Sequence, residues 1–248
     1  MKRTQFLVFA MILPVLVACN KDDDSTEPST KPQSNSINKI LPLGASRVQG
    51  ARPEYESYRY ELWKSLTEGG YTFDFIGTQS DDASYPSFEN ANFDVDHEGR
   101  GGWTSGQILS ELNEWLVETG SPNIVLFSSP GGNDLLDGLD YDTMISNVNA
   151  IVDLLQENNP SVTIIIEQLA PGRSDFMTTE LTQSFEQIKL DIITIADAQT
   201  TSTSAVIPID MFTGFNDTHL ADEVHYNEAG AEFIAERYYD VLTEFLQD

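Results

Sequence analysis

Apolar residues recur along the chain in two rhythms. Unbroken apolar runs of strand length occur at Ile40-Leu41-Pro42-Leu43, Ile124-Val125-Leu126-Phe127, Val162-Thr163-Ile164-Ile165-Ile166 and Ala205-Val206-Ile207-Pro208-Ile209. Runs of this kind mark parallel strands covered on both faces. Tyr71-Thr72-Phe73-Asp74-Phe75-Ile76-Gly77 alternates instead and predicts one more strand. Between the strands the spacing turns helical, over residues 58–66, 107–116, 141–156, 179–198 and 227–246. Tyr58, Leu62, Trp63 and Leu66 share one face of the first helix, and Ile108, Leu109, Leu112, Trp115 and Leu116 form the buried side of the second. Gly69-Gly70 ends the first, and Asn227 is placed to cap the last. Residues 47–56 and 80–96 have no period and read as loops. Strands alternating with helices predict one α/β domain: a three-layer sandwich around a doubly wound, five-stranded parallel sheet, with its site along the strand C-termini.

The first residues follow a different pattern. Met1-Lys2-Arg3 is basic, and residues 6–18 are almost wholly apolar but too short for a comfortable membrane span. The run closes on Leu16-Val17-Ala18-Cys19, with the chain's only cysteine after a small residue. This resembles a bacterial lipoprotein signal, which implies a leader over residues 1–18 and lipidation of Cys19. Residues 19–37 are polar and rich in Ser, Thr, Asp and Pro, a composition that predicts a disordered tether before the domain at 38–248. Lys21-Asp22-Asp23-Asp24 resembles the acidic signal of surface-exported lipoproteins of Bacteroidota. Together these features lead us to expect an exported lipoprotein at the outer membrane or cell surface, touching membrane through its anchor alone. With no second cysteine, neither an internal disulfide nor a thiol nucleophile in the domain is available.

Of the 248 residues 40 are acidic and 13 basic, a formal charge of −27. A polyanion of this strength repels nucleic acid and anionic membrane surfaces, so neither is expected as a ligand. The charge does not bear on fold, and its scatter along the chain reads as solvated surface.

The candidate chemistry lies where apolar runs end. The first run ends Gly44-Ala45-Ser46, a serine near the start of a helical segment whose backbone N–H groups favour developing negative charge. An activated serine needs a base, a group that orients the base, and oxyanion donors. Of the three histidines, His225 lies in Asp222-Glu223-Val224-His225, a spacing that puts carboxylate and imidazole on one side of a helical turn. The run at 124–127 leads into Gly131-Gly132-Asn133-Asp134, which brings a side-chain amide to the same sheet edge. The glycine-rich Gly99-Arg100-Gly101-Gly102 offers an unobstructed N–H at Gly102.

Four such blocks in this order, with Trp103-Thr104 after the second, resemble the SGNH (GDSL-type) hydrolase superfamily over residues 39–245. Within it, Tyr58-Arg59-Tyr60-Glu61-Leu62-Trp63, Phe73-Asp74-Phe75-Ile76-Gly77-Thr78-Gln79, Asp96-His97-Glu98-Gly99 and Gly131-Gly132-Asn133-Asp134-Leu135-Leu136 are similar to the acetylxylan esterases of carbohydrate-esterase family three. The resemblance implies a flavodoxin-like fold and a serine esterase that removes small acyl groups, chiefly acetyl, from carbohydrate or another small ester. It implies Ser46 as nucleophile, His225 as general base, Asp222 as its orienting partner, and Ser46 N–H, Gly102 N–H and the Asn133 amide as oxyanion donors. It implies no metal and no organic cofactor. Lipase or thioesterase activity on the same scaffold, and a degenerate glycan-binding lipoprotein, are the alternatives. Two positions depart from the family: Ala45 replaces the usual aspartate, and Arg47 a small apolar residue. Arg47, Trp103 and Arg173 are candidate substrate contacts; the competing expectation is an ion pair for each arginine and packing beneath the glycine loop for Trp103. His97 is expected to bond within its own loop, His219 to lie on a surface loop, and Arg59 to serve structure.

Overall fold

The apolar runs become strands because each is covered on both faces. The computed structural model describes residues 31–247. The leader, Cys19 and the early tether lie outside the described residues. Strand β1 (Lys39–Gly44) pairs in parallel with β5 (Ile124–Phe127), β5 with β6 (Thr163–Gln168), and β6 with β7 (Val206–Asp210). Side chains alternate between the two faces of each strand. Leu41, Leu43, Val125, Phe127, Ile164 and Ile166 enter one apolar cluster, while Ile40, Ile124, Leu126 and Ile165 enter the other. Helices α3 (Ser105–Thr119), α5 (Tyr141–Asn158) and α6 (Thr179–Gln199) supply the first cluster, and α2 (Arg59–Glu68) and α7 (Glu228–Leu242) the second. The result is a three-layer α/β sandwich with a central parallel sheet.

The sheet is richer than the expected five strands. On the free edge of β1, β2 (Asp74–Phe75) pairs with its first residues, and β4 (Asp96–Gly99) pairs with Leu43 and Gly44. Two short strands thus share one lane, so seven strands make five parallel lanes plus an antiparallel edge, β3 (Gln79–Ser80), on β4. The periodicity hid β4 because Asp96-His97-Glu98-Gly99 is polar throughout. Its His97, Glu98 and Gly99 are nevertheless buried. The lane order, second-first-third-fourth-fifth, puts a topological switch beside the C-terminal end of β1.

Three further departures are local. Residues 46–49, expected as loop, form the single-turn helix α1 (Ser46–Gln49), and Gly132–Leu136 forms α4. Residues 31–36, assigned to the tether on composition, lie against the body: Lys31 Nζ pairs with Asp96 at 2.7 Å, and Gln33 donates to Val117 O at 3.0 Å.

Candidate active site

Gly44 closes β1 where two chains meet, since a Cβ there would stand 2.8 Å from Ser128 O and 2.9 Å from Val48 Cγ2. The chain then turns at Ala45 straight into α1, with Ser46 as its first residue. From the other end of the sequence, the loop before α7 brings His225 over it. Ser46 Oγ and His225 Nε2 are 2.9 Å apart, across 179 positions of sequence. His225 Nδ1 is 2.7 Å from Asp222 Oδ2.

Asp222 and His225 do not share a helical turn, as their spacing suggested. They lie in an Asx-type turn ahead of α7, where Asp222 Oδ1 accepts the N–H groups of Val224 (2.9 Å) and His225 (2.8 Å). Burial pushes the Asp222 carboxyl up, but the bonds from Val224, His225 N–H and the His225 ring outweigh it. The group is held below the usual carboxylate range. Nδ1 therefore faces an anion, the arrangement that leaves Nε2 free to accept the hydroxyl proton.

The sequence profile of the GDSL-like Lipase/Acylhydrolase family matches residues 65–233, more than half of the chain. This chain belongs to that family. The match begins after Ser46 and ends after His225, so the serine rests on the geometry above. Among solved structures, a carbohydrate esterase family 3 protein from Talaromyces cellulolyticus is similar at 27% identity and a TM-score of 0.71, over 84% of this chain and 97% of that one. An acetyl esterase solved with acetate ion gives the same values. The Clostridium thermocellum family 3 carbohydrate esterase is similar at 28% identity and a TM-score of 0.68, over 85% and 99% of the two chains. No curated protein sequence matches. By family this acylhydrolase is a carboxylic-ester hydrolase.

Of the expected oxyanion donors, Asn133 lines one pocket with Ser46. Gly102 and Ser46 N–H have no hydrogen-bond acceptor among the described residues. Gly102 has a φ of +77° and open space where a Cβ would stand. Arg100 N–H donates to Gly44 O at 3.0 Å and Gly101 N–H to Gln49 Oε1 at 2.6 Å, so the glycine loop is tied to the turn that carries Ser46. The Asn133 amide gives one N–H to Trp103 O at 2.7 Å and keeps a second. Asp134 beside it accepts Ser105 N–H (2.7 Å) and Ser105 Oγ–H (2.6 Å), which fixes the start of α3 to the same loop.

The candidate substrate contacts are placed differently. Arg47 is buried and makes no ion pair among the described residues. Its guanidinium donates to Val224 O (2.8 Å), Ala170 O (2.8 Å) and Pro171 O (3.2 Å), and lies over the Tyr226 ring. It therefore straps the turn bearing Ser46 to the loop bearing His225 while lining the adjacent pocket. Arg173 pairs with Asp175 (2.6 Å) and Glu223 (2.9 Å). Trp103 packs on Trp115, ring centroids 5.6 Å apart, below the Arg100 guanidinium. His97 is buried and accepts Gly99 N–H at 3.0 Å; burial, with Arg59, Lys31 and Arg100 near, pushes its pKa down to about 2. His219 sits in a short 3-10 turn against Phe215 and Phe233. Arg59 is fully buried and donates to Val48 O and Gln49 O below the nucleophile turn.

Two residues of the site leave no trace in the sequence pattern. Tyr55, in an aperiodic loop, stacks flat on His225 with centroids 3.9 Å apart and 14° between planes. Its loop is fixed by Glu56 N–H donating to Tyr226 O at 2.8 Å. Glu167, at the end of an apolar strand, is fully buried, and burial raises its pKa against the bonds it accepts. It takes the Tyr238 hydroxyl and Ser129 N–H, both at 2.7 Å, and holds Ser129 in the left-handed region at φ +47° beside the pocket.

Proposed function

We propose that this acylhydrolase is a serine esterase that removes small acyl groups, chiefly acetyl, from carbohydrate. The observation that carries the reading is the run Ser46 Oγ–His225 Nε2–His225 Nδ1–Asp222 Oδ2, at 2.9 Å and 2.7 Å. His225 takes the Ser46 proton as Oγ attacks the acyl carbon, and Ser46 N–H, Gly102 N–H and the free Asn133 N–H receive the oxyanion. His225 then gives the proton to the departing alkoxide, and the same groups activate water to hydrolyse the acyl-serine. Asp222 stays ionised throughout and steadies the imidazolium.

Two observations support acetyl. The similar structures include an acetyl esterase and family 3 carbohydrate esterases. The pocket lined by Ser46, Asn133, Gly132, Leu136, Leu169 and Phe185 measures about 30 Å³. That is room for roughly two water-sized groups, such as the carbonyl and methyl of an acetyl. His225 does not line it, so the alcohol that must receive the His225 proton departs on the other side. The N-terminal pattern supports an exported lipoprotein anchored through Cys19 at the outer membrane or cell surface. A polysaccharide in that compartment is then the natural substrate.

The test is hydrolysis of p-nitrophenyl acetate. Ser46→Ala and His225→Ala, both folded by circular dichroism, are expected to lose at least about 1000-fold in kcat; near wild-type turnover in either sinks the reading. A degenerate glycan-binding role draws on one observation, Ala45, which leaves α1 without a side-chain cap. Saturable polysaccharide binding by a chain inert toward every ester tried is its signature.

A further inference from the structure

Besides the 30 Å³ pocket, a groove of about 340 Å³ lies among the loops after β6 and β7, with Met177, Phe212 and Phe215 in its walls. One residue, Phe185 of α6, lines both spaces. Its side chain is 4% exposed, so the wall that the two spaces share at Phe185 is packed. The rest of the partition is the strap from Arg47 to Ala170 O and Pro171 O. Ser46 and Asn133 line the small pocket together with the apolar Leu136 and Leu169.

We infer that Phe185 sets the acyl length this enzyme accepts, by walling a two-carbon pocket off from an apolar groove able to hold a longer chain. This rests on the serine-esterase reading above and deepens it. An acyl chain entering beside Ser46 meets the Phe185 ring after its first carbons. With the ring removed, the path continues into a groove lined by thioether and aromatic carbon, and each further methylene gains burial. Acetyl esters are too short to gain from the groove. The groove thus stays out of reach because of one side chain on α6, and the same scaffold becomes a medium-chain acylhydrolase when that side chain shrinks.

The experiment compares kcat/KM for p-nitrophenyl acetate, butanoate, hexanoate and octanoate in the wild type, Phe185→Ala and Phe185→Leu, with Ser46→Ala as the blank. The wild type is expected to prefer acetate. The hexanoate-to-acetate ratio should rise by at least about tenfold in Phe185→Ala and less in Phe185→Leu, whatever the change in acetate turnover itself. Melting curves report whether each variant is folded, and Phe185→Leu carries the test if the alanine variant is not. A ratio that does not move in a folded variant overturns the inference, as does a gain that stops at butanoate, because that marks a local cavity with no passage. A wild type that takes hexanoate as readily as acetate overturns it as well. Failure of the serine-esterase reading looks different: no ester is hydrolysed, or the Ser46→Ala blank is as active as the wild type.

Discussion

At the scale of single residues, the reacting groups are few and most of the work is in holding them. Arg47 illustrates this, since a cation beside a nucleophile invites a reading as a substrate contact. Its donors are instead spent on Val224, Ala170 and Pro171 carbonyls, three acceptors from two loops. Lysine cannot reproduce that fork. Arg47→Lys should therefore lower Tm and reduce kcat by about tenfold or more, with a smaller change in KM, because hydrogen bonds from a charged donor are worth about 1.5–3 kcal/mol each; thermal melts and steady-state kinetics read both. Tyr55 acts on the imidazole through its ring face. Tyr55→Phe keeps the stack and should leave activity near wild type. Tyr55→Ala should lower kcat/KM by about 2- to 10-fold, the equivalent of roughly 0.5–1.5 kcal/mol for an aromatic pair. Equal rates in the two variants would remove the stack from the account.

At the scale of elements, the site exists because β1 stops at Gly44 and the chain re-enters a helix within two residues. A methyl group at Gly44 would press on the Ser128 carbonyl at 2.8 Å. Gly44→Ala should destabilise the fold by about 1–3 kcal/mol and depress activity together with it, seen as parallel losses in chemical denaturation and turnover. The five helices expected from the spacing and the four strands with unbroken apolar runs were legible in the sequence because their apolar spacing is set by burial. The Ser46, Gly102, Asn133 and His225 blocks were legible because glycines, a lone amide and scarce histidines punctuate strand ends. β4 was not, since His97 and Glu98 are buried through hydrogen bonds rather than through apolar character. The Asp222–His225 spacing indicated proximity and missed its cause: an Asx turn meets the same separation as a helical one. Tyr55, Glu167 and the strap from Arg47 depend on contacts 71 to 177 positions away or on an irregular loop, and no local period encodes them.

At the scale of the whole molecule, an excess of acids makes stability depend on how each carboxyl is housed. Asp94 accepts Phe75 N–H at 2.6 Å in a site where burial, set against bonds from Phe75 and Asp96, pushes its pKa up to about 7. A folded-state pKa above the unfolded one means that the folded chain holds the extra proton. The Asp94 contribution is thus full below about pH 4 and is lost as pH rises through about 7. Relative to wild type, Asp94→Asn should gain stability steadily from pH 4 to pH 8, by up to a few kcal/mol; a constant difference across that range contradicts the assignment. Asp222 runs the opposite way. Its depressed pKa gives stability that is present at neutral pH and is lost as pH falls through and below the ordinary carboxylate range.

Catalysis in this esterase turns on Ser46 as the nucleophile, which intact-mass spectrometry after treatment with a fluorophosphonate probes. The wild-type chain should gain one phosphonyl adduct, mapped by peptide sequencing to Ser46 and formed far more slowly in His225→Ala. A folded wild-type chain that gains no adduct, or a Ser46→Ala chain that gains one at the same rate, contradicts it.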